Sequence, residues 1–244
     1  MSTNLKYMTW MEFDELRKKT KAVILPTGAV EVYGPHLPLG SDIIISKKIA
    51  DLLGERSGAL VAPSLEIGNS NPLYCYPGTI YCRPETIKAA YRDLCESLIK
   101  WGFRVFLVLN MHRNNAFPLD DLMMELQDEY GIIGASVPWW QFLPSISQDV
   151  FDNPNPKQHA GEAGTSIMLH LAPELVRMDR LCATEFKLQE PFPNITQYPS
   201  FDQITDTGMF GDALAATAEK GRIVVERGVE EMTKYIEYAL AKLN

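Results

Sequence analysis

VILPTGAVEVYGPHLPLGSD, residues 23–42, is the stretch on which the reading of the fold turns. Val23, Ile24 and Leu25 form a short apolar, largely β-branched run that Pro26 closes, the pattern of a buried strand. A loop rich in Gly and Pro follows, and Ser41 then stands as N-cap of an apolar-periodic helix over residues 42–53. A strand end that opens into a helix is where open α/β sheets build sites. Glu31, Tyr33, His36 and Asp42 crowd into this one loop. Two carboxylates and an imidazole so close together point to a divalent metal, although a structural turn with solvated charges has the same composition.

The same strand–loop–helix grammar recurs outward. Thr9 caps a first helix over 10–18. Ala59–Ala62 reads as a second strand, and 78–81 as another inside the long loop 65–84. Pro84 opens a helix over 85–101. RVFLVLN, residues 104–110, is a continuous apolar strand that runs into His112 and Asn114, and a helix over 117–130 follows. Residues 132–137 form a further strand, ending in Pro138, Trp139 and Trp140. Residues 145–156 read as loop, QHAGEAGTS (158–166) leads into a helix over 166–171, and 182–210 is irregular. The last helical stretch, 213–243, should break near Gly221. Short apolar strands alternating with helices predict an α/β chain, a mostly parallel sheet covered on both faces, within one domain over 1–244. Ligands of such sheets sit beyond the carboxyl ends of the strands. There the Glu31/Tyr33/His36/Asp42, His112/Asn114 and Gln158/His159/Glu162 clusters should converge. His170, on an apolar helix, reads as a core residue.

Composition narrows the function. The 244 residues are 46% hydrophobic and 22% charged, with net charge −8. That argues against a nucleic-acid surface. No apolar run is long enough for a bilayer span, and the N-terminus lacks a signal-peptide pattern, so a cytoplasmic protein is expected. The four cysteines show no C-x-x-C pair and read as free thiols.

VEVYGPHLPLGSD, NMHRNN, QHAGEAGTS and TGMFGDALAATAEKG, in this order, resemble the creatininase (creatinine amidohydrolase) family over about residues 9–240. The resemblance implies a three-layer α/β/α sandwich, a hydrolase with two adjacent divalent metals acting on small polar cyclic amides and related rings, and a hexamer. It implies Glu31, Asp42 and His112 as ligands of one metal (zinc, manganese or iron), and His159 as the catalytic histidine. The pattern departs at four places. Tyr33 stands where the family has a ligand histidine, Asn114 where it has a ligand glutamate, Gln158 where it has glutamate, and Gly164 where glutamate is common. Phenol and carboxamide are poor substitutes for imidazole and carboxylate, so one metal retained and the second site lost is the expectation. Tyr33, Asn114, Gln158 and the lid-like Trp140 are then substrate-binding candidates. Glu162 and His36 are further acid–base candidates, the plain alternative for Glu162 being a charge at a helix N-terminus. The expected chemistry is water attack on a carbonyl, first in a cyclic amide. Hydrolytic C–C cleavage of a keto-sugar or keto-inositol ring is the enzymatic alternative, and a catalytically silent binding homologue the other.

Overall fold

The computed structural model describes residues 2–183, 187, 194, 195 and 197–243. In chain order the elements are α1 (Trp10–Lys19), β1 (Ala22–Thr27), α2 (Ser41–Ser57), β2 (Leu60–Val61), α3 (Pro84–Lys100), β3 (Val105–Asn110), α4 (Ala116–Tyr130), β4 (Ile133–Pro138), α5 (Trp139–Ile146), α6 (Glu162–Leu171), α7 (Phe201–Ile204) and α8 (Ala218–Ala241). The strands form one parallel sheet in the order β2-β1-β3-β4.

Alternation along the strands builds the three layers. Ile24, Leu107 and Leu109 point to a core shared with Ile45, Ile49 and Leu53 of α2, Ile167 of α6 and Val225 of α8. Their neighbours Val23, Leu25, Phe106 and Val108 point to the opposite core, with Leu16 of α1, Ile87 and Leu98 of α3, and Leu122 of α4. Period-two side-chain direction in β1 and β3, buried at every position and apolar up to Thr27 and Asn110, therefore requires cover on both faces. The chain leaves β1 toward one edge and β3 toward the other, which makes their adjacent carboxyl ends the switch point of the sheet.

Several local expectations are corrected. Pro26 does not end β1; it pairs in register with Leu109. Ala62 donates to the Ile24 carbonyl, so by alternation Pro26 faces the same side, beyond the end of the two-residue β2. No ladder donor is lost there, and its carbonyl accepts the Tyr91 hydroxyl at 3.0 Å. Residues 78–81 form no strand, only a bridge from Tyr81 to Gly68. Ser41 lies inside α2, and Gly40 takes the cap position. Residues 145 and 146 belong to α5, and α6 starts at Glu162, not at Ser166. Gly221 does not break α8. A Cβ there would come within 2.0 Å of the Ser166 carbonyl oxygen, so glycine lets α8 lie directly on the α6 backbone. His170 is only half-buried. The irregular stretch 182–210 lies partly outside the described residues; within it, Phe201–Ile204 is a helical turn. The four cysteines are free, Cys82 and Cys95 buried and Cys75 and Cys182 exposed. Among the described residues no helix is long and apolar enough to cross a membrane.

Candidate metal centre

Close backbone approach sets the first two ligands. A Cβ on Gly28 would fall 2.7 Å from the Asp42 backbone carbon, so only glycine lets the end of β1 touch the first turn of α2. The intervening loop is pinned by Glu31 N–H donating to the Leu39 carbonyl (2.8 Å) and Val32 N–H donating to Thr79 Oγ1 (2.9 Å). Asn115 ties the neighbouring segments together. Its Nδ2 donates to Thr27 Oγ1 and the Gly28 carbonyl, and its Oδ1 accepts from Asn69 N–H. Sequence reasoning singled out Asn114 and missed this adjacent staple.

His112, from the end of β3, meets both carboxylates. The Asn69 carbonyl, 2.8 Å from His112 Nε2, can only accept, so that nitrogen carries the proton. Nδ1 then faces inward, 3.2 Å from both Glu31 Oε1 and Asp42 Oδ2. One ligand atom from each of Glu31, Asp42 and His112 lies within 4.8 Å of the others, and all three residues are buried. Glu31 Oε2 and Asp42 Oδ1 are buried with no hydrogen-bond partner among the described residues. Buried carboxylate oxygens are normally satisfied, and a divalent cation accounts for both orphans. Backbone orientation of the far imidazole nitrogen is the usual outer support of a metal-ligating histidine. The donor set fits such an ion.

Electrostatics agree with three coupled groups. Burial raises Asp42, despite the His112 hydrogen bond, to about 7. Burial opposes charge on His112, but the two carboxylates outweigh it and hold its pKa well above the ordinary value. Burial likewise works against the Glu31 carboxylate, and the His112 charge more than offsets it, lowering its pKa. Burial, then the charges of Asp42 and Glu31, pushes the Tyr33 phenol well above 10.

The trio opens into a cavity of about 520 Å³. Of the predicted residues, Tyr33, Asn114, Trp140, Gln158 and His159 also line it. His159 Nε2 donates to the Val32 carbonyl at 2.7 Å, which leaves Nδ1 as the free acceptor, 4.0 Å from Glu31 Oε1. Burial lowers its pKa, so the neutral base is favoured. The Tyr33 and His159 rings pack at 4.4 Å. Beside His159, Ala160 has φ 55°, the one non-glycine residue in the left-handed region among those described. Such strain persists where the surroundings dictate it, often at functional positions. Trp140 Nε1 donates to the Met111 carbonyl at 2.5 Å, which fixes its ring as a wall, while Trp139 is a core residue. The cavity also takes Arg113, Lys157, Phe201 and Phe210, which sequence reasoning passed over.

Glu162 and His36 lie elsewhere. Glu162 is fully buried, but its oxygens accept from Lys220 Nζ (2.5 Å) and from the N–H groups of Asp152 (3.2 Å) and Asn153 (2.8 Å). His36 is enclosed away from the cavity with Nε2 2.9 Å from Thr165 Oγ1, and burial pushes its pKa down to about 4. Neither lines the cavity, against the expectation that all three clusters converge there.

A sequence model of the creatininase family, described as creatinine amidohydrolase, matches residues 6–236. The mycofactocin precursor peptide peptidase of Mycolicibacterium smegmatis is 30% identical over 220 residues, covering 87% of this chain and 83% of that protein. The creatinine amidohydrolase of Pseudomonas putida is 26% identical, covering 90% of each. The 3-dehydro-scyllo-inosose hydrolase of Thermotoga maritima is 26% identical, covering 94% of this chain and 80% of that one. Creatininase solved in its Mn form shares the fold with a TM-score of 0.84 at 24% identity, covering 98% of this chain and 99% of the other. The chain thus belongs to the creatininase family of metal-dependent hydrolases.

Proposed function

We propose that the protein hydrolyses the C–N bond of a small polar amide, a cyclic amide being the first candidate, with one divalent ion held by Glu31, Asp42 and His112. The observation that carries this reading is the buried trio with two partnerless carboxylate oxygens, open to the same cavity as the free Nδ1 of His159. When bound, zinc, manganese or iron supplies Lewis acidity, lowering the pKa of water toward about 7 and polarising a carbonyl.

The chain's own residues do the rest. His159, its tautomer fixed by the Val32 carbonyl, takes a proton at Nδ1 and returns it to the leaving nitrogen. Trp140, Phe201 and Phe210 exclude water around the substrate body. Asn114 and Gln158 offer amide donors and acceptors to its polar edge. A single ion is supported by the donor chemistry: Glu31, Asp42 and His112 form the one metal-competent group found among the described residues, while Tyr33 and Asn114, which the family resemblance sets at the two further ligand positions, are weak donors. The buried, protonated Tyr33 phenol presents a donor toward Asp42 instead.

The relative named 3-dehydro-scyllo-inosose hydrolase favours a second reading, ring opening of a keto-inositol through the same carbonyl activation. The test is elemental analysis of the purified protein together with a turnover screen of cyclic amides, short peptides and keto-inositols. The reading expects one ion per chain and amide hydrolysis that a chelator abolishes. Two ions per chain overturn the single-ion reading, and ring opening of keto-inositols with no amide cleavage overturns the C–N assignment.

A further inference from the structure

Arg113 and Lys157 line the cavity of the metal-competent trio, and both are exposed. Neither has an acidic partner among the described residues. Some cations outside the cavity do hold carboxylates: Lys88 holds Asp121 and Glu125, Arg92 holds Glu96, Glu125 and Glu129, and Arg222 holds Glu219 and Glu226. Acidic groups are plentiful, 31 against 23 basic residues. Two cations on one cavity, neither with an acidic partner among the described residues, are open to an anionic ligand.

Their positions tie them to the reacting groups. Arg113 directly follows His112, and Lys157 stands two residues before His159. Each cation therefore rides on a segment that also carries a site residue, so its reach is measured from the reaction centre. The same cavity is lined by Trp140, Phe201, Phe210 and Leu73, and by the amides of Asn155 and Gln158. Such a lining matches a ligand that carries a carbonyl, an apolar body and an anionic oxygen group.

We propose that Arg113 and Lys157 form a carboxylate subsite, and that the substrate is an acyl amino acid or short peptide with a free carboxylate remote from the scissile bond. This inference rests on the amide-hydrolase reading for the reaction but not for the binding. The guanidinium fork accepts a carboxylate with two parallel hydrogen bonds, and Lys157 adds a point charge. The pair also counters the repulsion that the acidic chain exerts on an anionic ligand.

The probes are acetyl-Ala-Ala and its C-terminal amide, which differ only in the terminal charge. Their binding, by calorimetry or NMR, and their hydrolysis are measured on zinc-loaded protein, on the Arg113→Gln/Lys157→Gln double variant and on Lys19→Gln, an exposed cation outside the cavity. The subsite predicts about tenfold tighter binding of the free acid than of the amide, since hydrogen bonds between charged groups are the strong ones. That preference should vanish in the double variant, fade in about 0.5 M salt and persist in Lys19→Gln. Equal binding of acid and amide by the unmodified protein overturns the proposal, as does no binding of the acid at millimolar concentration. A preference that survives in the double variant also overturns it, since the acid would then be bound by the metal ion itself. Preferential binding without hydrolysis of either probe would leave the subsite standing and count against amide cleavage. Hydrolysis of both probes with equal binding would do the reverse.

Discussion

Replacing Glu162 by alanine separates a structural carboxylate from a catalytic one. The side chain is fully buried and takes three donors, Lys220 Nζ and the N–H groups of Asp152 and Asn153. Breaking a buried ion pair by removing one partner costs about 3–5 kcal/mol. Lys220 keeps the exposed Asp152 carboxylate and the Ala215 carbonyl, which favours the lower end of that range. The two abandoned N–H groups add about 1 kcal/mol each where water does not replace the oxygen. A net loss of about 3–5 kcal/mol follows, depending on how far water replaces the oxygens, or about 10–15 °C in Tm for a chain of this size. Glu162→Gln, which keeps shape and one acceptor, should lose about half as much. Urea denaturation and turnover on the same preparations provide the assay. Folded Glu162→Ala should keep kcat within a few-fold, with KM raised because the loop it anchors leads into Asn155, Lys157 and Gln158. Unchanged stability together with a kcat loss of about 10²–10⁴, the worth of a general acid or base, would refute this placement.

Other perturbations test separate parts of the argument. His159→Asn should cut kcat by about 10²–10⁴ with metal content retained. His112→Asn should lose bound metal along with activity, and half-buried His170→Asn should change neither, as elemental analysis and kinetics would show. His36 is held neutral: its pKa falls from 6.5 unfolded to about 4 folded. Below pH 6.5 the unfolded chain therefore binds a proton the native chain refuses. Stability should fall between pH 6.5 and about 4, by up to about 3 kcal/mol at 1.36 kcal/mol per unit, and His36→Gln should flatten that slope in urea titrations. Gly221→Ala, which in an exposed helix would gain about 1 kcal/mol, should instead lose about 2 kcal/mol or more through collision with the Ser166 backbone. Light scattering should give a hexamer, and a 27.5 kDa particle at micromolar concentration would rule that out.

The central strands were legible in the sequence because β1 and β3 carry apolar residues on both faces up to their polar last residues, Thr27 and Asn110, leaving no other role for VILP or VFLVL. The helices with ordinary caps, such as α1 with its Thr9–Glu12 capping box, were legible for the same local reason. What escaped depended on distant partners. Gly221 looks like a breaker until Ser166 is placed against it, and α5, short and with Pro144 inside it, carries no local signal that the reading took for a helix. The candidate site divides likewise. Strand ends carry Glu31, Asp42 and His112 into one place by topology alone. Which residue of QHAGEAGTS faces the cavity depends on Lys220, 58 positions after Glu162, and no local pattern reveals that pairing.

The contact between Tyr33 and Gly164 constrains the order in which this pocket can change. A Cβ at 164 would stand 3.3 Å from Tyr33 Cε1, 3.5 Å from its hydroxyl and 3.6 Å from the Trp140 ring. Any longer side chain at 164 therefore collides while the phenol is present. Histidine at 33 alone would open a void against an empty glycine, with no second carboxylate to share a cation. The two positions form a lock in which each residue penalises the other's replacement, so single substitutions lead downhill and only the paired exchange crosses. A library that varies 33, 114 and 164 together is the one in which a histidine at 33 and a carboxylate at 114 can be accommodated.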